Sequence, residues 1–176
     1  LKAAEYQSGM SQVFSSVGDV EGLCSHLIGF KSKINRNRLA DLIMVPGGGL
    51  GLVVMRPQQN LHFFRTGVNP VWEDPWNSKG GRLTLTPPLV LLDPMFESVV
   101  LLMAGEMEKK KPKVGGRVVG VVGSRRSKGD RIEIWLSGPS IGTAPEEEWI
   151  KSVQEVLGRE IGTPDSKSLK YKKHLP

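Results

Sequence analysis

The chain has 176 residues, with 24 Lys and Arg against 18 Asp and Glu, a net charge of +6 and 39% hydrophobic residues. That length and apolar content fit one domain, residues 1–176, with a real core, and the basic balance favours a polyanionic partner, nucleic acid first. A lone cysteine, Cys24, rules out an intrachain disulfide framework, His26, His62 and His174 lack metal-ligand spacing, and no apolar run reaches membrane-spanning length. With no signal-like start in LKAAEYQSG, the expectation is a soluble intracellular protein without metal, cofactor or membrane partner.

In chain order, SVGDVEGLCSHLIG sets Val20, Leu23, Cys24, Leu27 and Ile28 at helical spacing, with Gly29 as a stop. The following stretch holds Gly47, Gly48, Gly49 and Gly51, which complete neither G-x-G-x-x-G nor G-x-x-x-x-G-K-[ST]. It reads as a flexible connection into the strand-like GLVVM. LHFFRTG and GGRLTLTPP read as strands.

DPMFESVVLLMAGE reads as a helix with Asp93 as N-cap, Pro94 at its first position and Gly105 at its end. Its apolar residues cover more than one face, so a second cover is expected beside the sheet. Lys109, Lys110, Lys111 and Lys113 read as a solvated turn in preference to a nuclear-import signal. VGGRVVGVVGSRRSKGDRIEIWLSG is a hairpin turning near Lys128 and Gly129. Residues 143–158 form a helix with Trp149, Val153, Val156 and Leu157 on one face, and SLKYKKH is a last strand. These elements, without internal repeat, predict an α+β fold: an antiparallel sheet with helices on one face and the other open to a ligand.

GVNPVWEDPWNSKGGR poses a chemical question. Unpaired carboxylates are costly in a core strand, yet Glu73 and Asp74 follow Trp72 directly. An aromatic beside a carboxylate suits a flat, hydrogen-bonding, partly cationic ligand. In RIEIW, alternation puts Arg131, Glu133 and Trp135 on one face and the isoleucines on the other. With the turn centred on Lys128 and Gly129, Arg126 is expected directly opposite Arg131, and like charges there call for an anion such as phosphate. A basic hairpin tip alone serves solubility equally well.

Together these segments resemble the cap-binding translation initiation factor 4E family. GVNPVWEDPWNSKGGR, LLDPMFESVVLLMAGE, VGGRVVGVV and SKGDRIEIW carry the resemblance, with weaker agreement in GDVEGL, VQEVLG and KYKKH and an insertion around 29–58. The resemblance implies a curved antiparallel sheet with about three helices on its convex face. It also implies binding of the 7-methylguanosine cap of messenger RNA, without enzymatic activity, in the cytoplasm with a nuclear alternative. Transferred residue by residue, Trp72 stacks on the methylated base with Tyr6 as the second aromatic, Glu73 accepts from the base edge and Trp135 lies near the methyl group. Arg126, Lys128 and Arg131 hold the phosphates.

The expected partners are capped messenger RNA, including hypermethylated caps, and a scaffold factor 4G or 4E-binding protein at an altered dorsal surface formed by Val20, Leu23, Cys24, Val99 and Gly105. The alteration is Cys24, which stands where the family usually presents Trp. Leu83 and Phe96 also replace Trp and are expected to pack. The aromatic strand ahead of Tyr6 is missing, so either the sequence lacks a segment or GLVVM takes its place in the sheet. Two other classes compete. A general single-stranded RNA-binding module would use the same aromatics without needing Glu73. A cap-processing hydrolase would need a carboxylate cluster or an activated nucleophile, and the sequence offers neither.

Overall fold

The computed structural model describes residues 8–10, 16, 18, 21–25, 52, 55–108, 117–138, 147–162 and 168–174. Five strands, β1 (Asn60–Phe64), β2 (Gly81–Leu85), β3 (Val118–Ser124), β4 (Arg131–Leu136) and β5 (Lys170–Lys173), form one sheet in the order β1-β3-β4-β2-β5. Every neighbouring pair is antiparallel. The strands form where the sequence alternates: Ile132, Ile134 and Leu136 of β4, with Leu83 and Leu85 of β2, are buried on one face. Arg131, Glu133, Trp135 and Arg82 project from the other.

Strand β3, VVGVVGS, is buried throughout because both its faces are covered. A Cβ on Gly120 would run into the Phe64 ring and one on Gly123 into Leu52 and Phe96, so the strand's glycines admit close neighbours. Helices α1 (Leu89–Glu108) and α2 (Glu147–Glu160) pack on the Leu83 and Ile134 face, where helical residues 21–25 add Leu23 to the same core. Helix α2 turns Ile150, Val153 and Leu157 inward. Trp149 is half-buried against this core, with the Arg117 guanidinium 4.3 Å from its ring. Leu83 and Phe96 are both buried, as expected.

Three details bear on the expectations. Helix α1 begins at Leu89, after Pro87 and Pro88, and runs past Gly105, so Asp93 and Pro94 lie inside it and neither caps its start. Asp93 is used across the fold instead: its Oδ1 accepts the Leu52 N–H at 2.7 Å. The carbonyl of Pro88 receives the Leu91 N–H at the helix entrance.

The second concerns GLVVM, one of two alternatives weighed for the aromatic strand expected ahead of Tyr6. Its described residues Leu52 and Met55 form a turn, Met55 N–H to Leu52 O at 3.0 Å, outside the five-stranded sheet. Leu52 then fills the space over Gly123 beside Phe96. The third concerns the second cover for α1, expected from another helix or a partner: α2 touches it, Leu92, Phe96, Val99, Val100 and Met103 are buried, and Leu89, Val90, Leu91 and Leu101 face solvent. Most of the insertion expected at 29–58 lies outside the described residues.

Candidate functional site

The face of the sheet away from the helices is roofed at one side by the loop between β1 and β2, leaving a cleft of about 290 Å³. The roof is wound around Asp74. Its Oδ2 accepts the Asn69 N–H at 2.9 Å and its Oδ1 the Trp76 N–H at 2.9 Å, which holds a buried carboxylate in place. Asn77, fully buried, donates Nδ2 to the carbonyls of Asn69 and Val71, both at 2.8 Å. Gly67, at φ +84°, starts the loop in a conformation that disfavours other residues.

Gly80 and Gly81 end the loop by close approach, not by an unusual φ. A Cβ on Gly80 would overlap the Leu136 carbonyl, and one on Gly81 would enter the Tyr171 ring. The fixed backbone presents Trp72, 41% exposed, and Glu73, whose carboxylate has no hydrogen-bond or ion-pair partner among the described residues. Trp76 is also exposed, and its backbone N–H is the group that bonds to Asp74.

Trp135 forms the floor and is buried. Phe64 meets its ring edge-on at 5.4 Å, and His174 tilts against it at 4.4 Å. The Trp135 indole N–H has no partner among the described residues. Beside it, Arg82 Nε lies 3.3 Å from Glu133 Oε1, a cross-strand ion pair inside the cleft. His62, on the same face, is pushed down to a pKa of about 4 by burial, so it is a neutral imidazole at neutral pH.

The hairpin supplies the other end, in a register different from expectation. Ser124, not Arg126, stands opposite Arg131, because the connection is a six-residue loop, 125–130, rather than a two-residue turn. Asp130 organises it by accepting Arg125 Nε at 3.0 Å and the Arg126 N–H at 2.9 Å, while Gly129 takes φ +115°. Arg126 Nη2 reaches Asn60 Oδ1 at 2.7 Å, which lays its guanidinium along the cleft wall near Arg131.

Trp72, Glu73, Trp135, Arg126 and Arg131 thus line one cleft, although three separate segments contribute them. Lys128 is exposed at the loop tip and is not among the lining residues. Tyr6 and Val20 lie outside the described residues. Of the residues expected on the dorsal surface, Leu23 and Val99 are 1% exposed and lie in the core, while Cys24 and Gly105 are half-buried. Asn60, His62, Arg82 and Glu133 also line the cleft without having been assigned a role. Strand parity alone sets Glu133 on this face, whereas the others need the pairing of strands distant in sequence.

Comparisons with known proteins agree with this architecture. The sequence model of the family described as "Eukaryotic initiation factor 4E" matches residues 52–175. Eukaryotic translation initiation factor 4E-4 of Caenorhabditis elegans is 32% identical over 120 residues, 68% of this chain and 52% of that protein. Eukaryotic translation initiation factor NCBP of rice is 27% identical over 115 residues, 65% of this chain and 47% of that protein. The chain therefore spans about half the length of the curated relatives it matches.

Among solved structures, Ascaris suum eIF4E-3 in complex with an m2,2,7G cap superposes with a TM-score of 0.68 at 20% identity, covering 99% of this chain and 83% of that one. Schistosome eIF4E complexed with m7GpppA and 4E-BP gives a TM-score of 0.65 at 18% identity, covering 98% and 80%. At such identities these structures speak to the fold, and they share its curved antiparallel sheet backed by helices. With the family's sequence model spanning 52–175 and a relative above 30% identity, the chain belongs to the eukaryotic initiation factor 4E family.

Proposed function

We propose that this protein binds the 7-methylguanosine cap of messenger RNA and acts, without catalysis, in translation initiation or its regulation in the cytoplasm. One observation carries the reading. Trp72 and Glu73, adjacent in sequence, are both offered to solvent from a loop fixed by Asp74 and Asn77, above a cleft whose far end holds Arg126 and Arg131. A methylated guanine is a flat cation whose edge donates two hydrogen bonds, so it matches an indole face beside a carboxylate. The two arginines match its phosphates.

The eIF4E-3 of Ascaris suum was crystallised with m7G and m2,2,7G caps. Both share the cationic ring and differ at N2, the edge that Glu73 faces in this reading. The schistosome protein was complexed with 4E-BP and the C. elegans eIF4E-3 with the 4E-binding protein Mextli. For this chain a factor 4G or 4E-binding partner would meet a surface carrying Cys24 and Gly105.

Tryptophan-fluorescence titration with 7-methyl-GTP and GTP at two salt concentrations tests the cap reading. The methylated nucleotide should bind at least tenfold tighter, and Glu73→Ala should erase that difference. Arg126→Ala should weaken both nucleotides and flatten the salt dependence. Equal binding of the two by the unmodified protein would instead support general single-stranded RNA binding.

A further inference from the structure

On the cleft face, β4 presents Arg131, Glu133 and Trp135 in succession. Alternate residues of a strand are roughly 6.5–7 Å apart, so these three mark evenly spaced stations along the floor. Cross-strand register extends each station sideways. Asn60 and Ser124 stand level with Arg131, His62 and Val122 with Glu133, and Phe64 and Gly120 with Trp135. The Arg131 station, joined by Arg126, is cationic and the Trp135 station is aromatic. The middle station holds a carboxylate.

A carboxylate between two arginines and an aromatic floor is misplaced for a cleft that serves only phosphate and base. Its charge opposes a polyanion, and its removal from water is unfavourable. Arg82 offsets this by pairing with Oε1 at 3.3 Å. The other oxygen, Oε2, has no partner among the described residues, and Glu133 is 18% exposed on its side chain, toward the cleft. In any nucleoside phosphate the sugar joins base to phosphate and carries the 2′ and 3′ hydroxyls. It therefore falls at the middle station when the base lies by Trp135 and the phosphates by Arg131.

We infer that Glu133, steadied by Arg82, accepts hydrogen bonds from the ribose hydroxyls of the bound nucleotide and makes the site selective for an unmodified ribose. This rests on the nucleotide orientation of the proposed function. Hydroxyl donors matched to a carboxylate form charge-assisted bonds, stronger than neutral ones. A sugar with a methylated or missing hydroxyl leaves that carboxylate unsatisfied.

The test is affinity measured by tryptophan fluorescence for two pairs: 7-methyl-GTP against its 3′-O-methyl derivative, and GTP against 2′-deoxy-GTP. The unmodified protein should favour the intact ribose about five- to tenfold in each pair. Glu133→Ala should reduce both ratios to within twofold while keeping the preference for 7-methyl-GTP over GTP, which also certifies the fold. Glu133→Gln, of equal size, should give intermediate ratios. Ribose ratios near one in the unmodified protein, or unchanged in Glu133→Ala, would overturn the inference and leave the cap reading standing. Loss of 7-methyl selectivity with intact ribose ratios would overturn the cap reading alone, and failure to bind any of the four nucleotides would overturn both.

Discussion

His174 Nδ1 lies 2.9 Å from the main-chain carbonyl of Asn77, so the imidazole donates to the loop that carries Trp72 while its ring rests against Trp135. A carbonyl can only accept, which fixes the proton on Nδ1. The roof and the floor of the cleft are thereby tied through one side chain supplied by the residue after β5. His174→Ala should lower stability by about 1–2 kcal/mol in urea denaturation and weaken 7-methyl-GTP binding several-fold. Unchanged affinity would show that the loop holds its shape without this tie.

Asn77 and Glu73 should separate stability from recognition. Removing the Asn77 amide strands the carbonyls of Asn69 and Val71, so Asn77→Ala should cost roughly 2–4 kcal/mol and impair binding of every nucleotide. Glu73→Ala removes an exposed carboxylate without a partner among the described residues, so its melting temperature should stay within about 2 °C of the unmodified protein. Thermal melts beside the nucleotide titrations check both expectations.

Acidification should weaken the fold through His62. Its pKa falls from 6.5 in the unfolded chain to about 4 in the folded one because burial disfavours the charged ring. Between those values the unfolded chain binds the additional proton. The stability is therefore complete above pH 6.5 and drains away as pH falls toward 4, by roughly 3 kcal/mol in all. His174 shifts in the same direction, chiefly through burial, and adds to the slope. Urea midpoints across this range should fall with pH, and His62→Gln should flatten the dependence.

Gly80→Ala should be among the most damaging single changes. The new methyl would meet the Leu136 carbonyl, a backbone group within the sheet that cannot rotate away. A loss of about 2–4 kcal/mol is expected, together with weaker β2–β4 pairing. Amide hydrogen exchange at Gly81–Leu85 would report it. Protection unchanged from the unmodified protein would mean that the backbone yields.

What could be read from the sequence was set by the range of the interactions. RIEIW announces its two faces, and so the side on which Trp135 lies, because alternation is local, whereas Trp72 and Glu73 stand out by their adjacency and by the resemblance to the family. The start of α1 is not legible in the sequence because Asp93 and Pro94 imitate a helix cap, whereas the carboxylate is committed to Leu52, distant in the chain. Arg126 falls outside the register expected for it because Asp130 stabilises a longer loop than the residues Lys128 and Gly129 suggest. The Asp130 side chain was the local signal for it. Nothing nearby in sequence could have brought Asn60, His62 and Arg82 together, since they meet only through the order β1-β3-β4-β2.

The link from Asn77 to His174 closes over 97 positions of chain. A contact of such separation forms only after the intervening chain has been made and ordered, and loop-closure entropy delays it further. During vectorial synthesis, strands β1 to β4 could pair while the roof still lacked its tether. On the proposed cap reading, nucleotide binding would then await completion of the sheet edge at β5: the cleft would stay an open, low-affinity surface on a nascent chain until Lys170–Lys173 has docked and delivered His174.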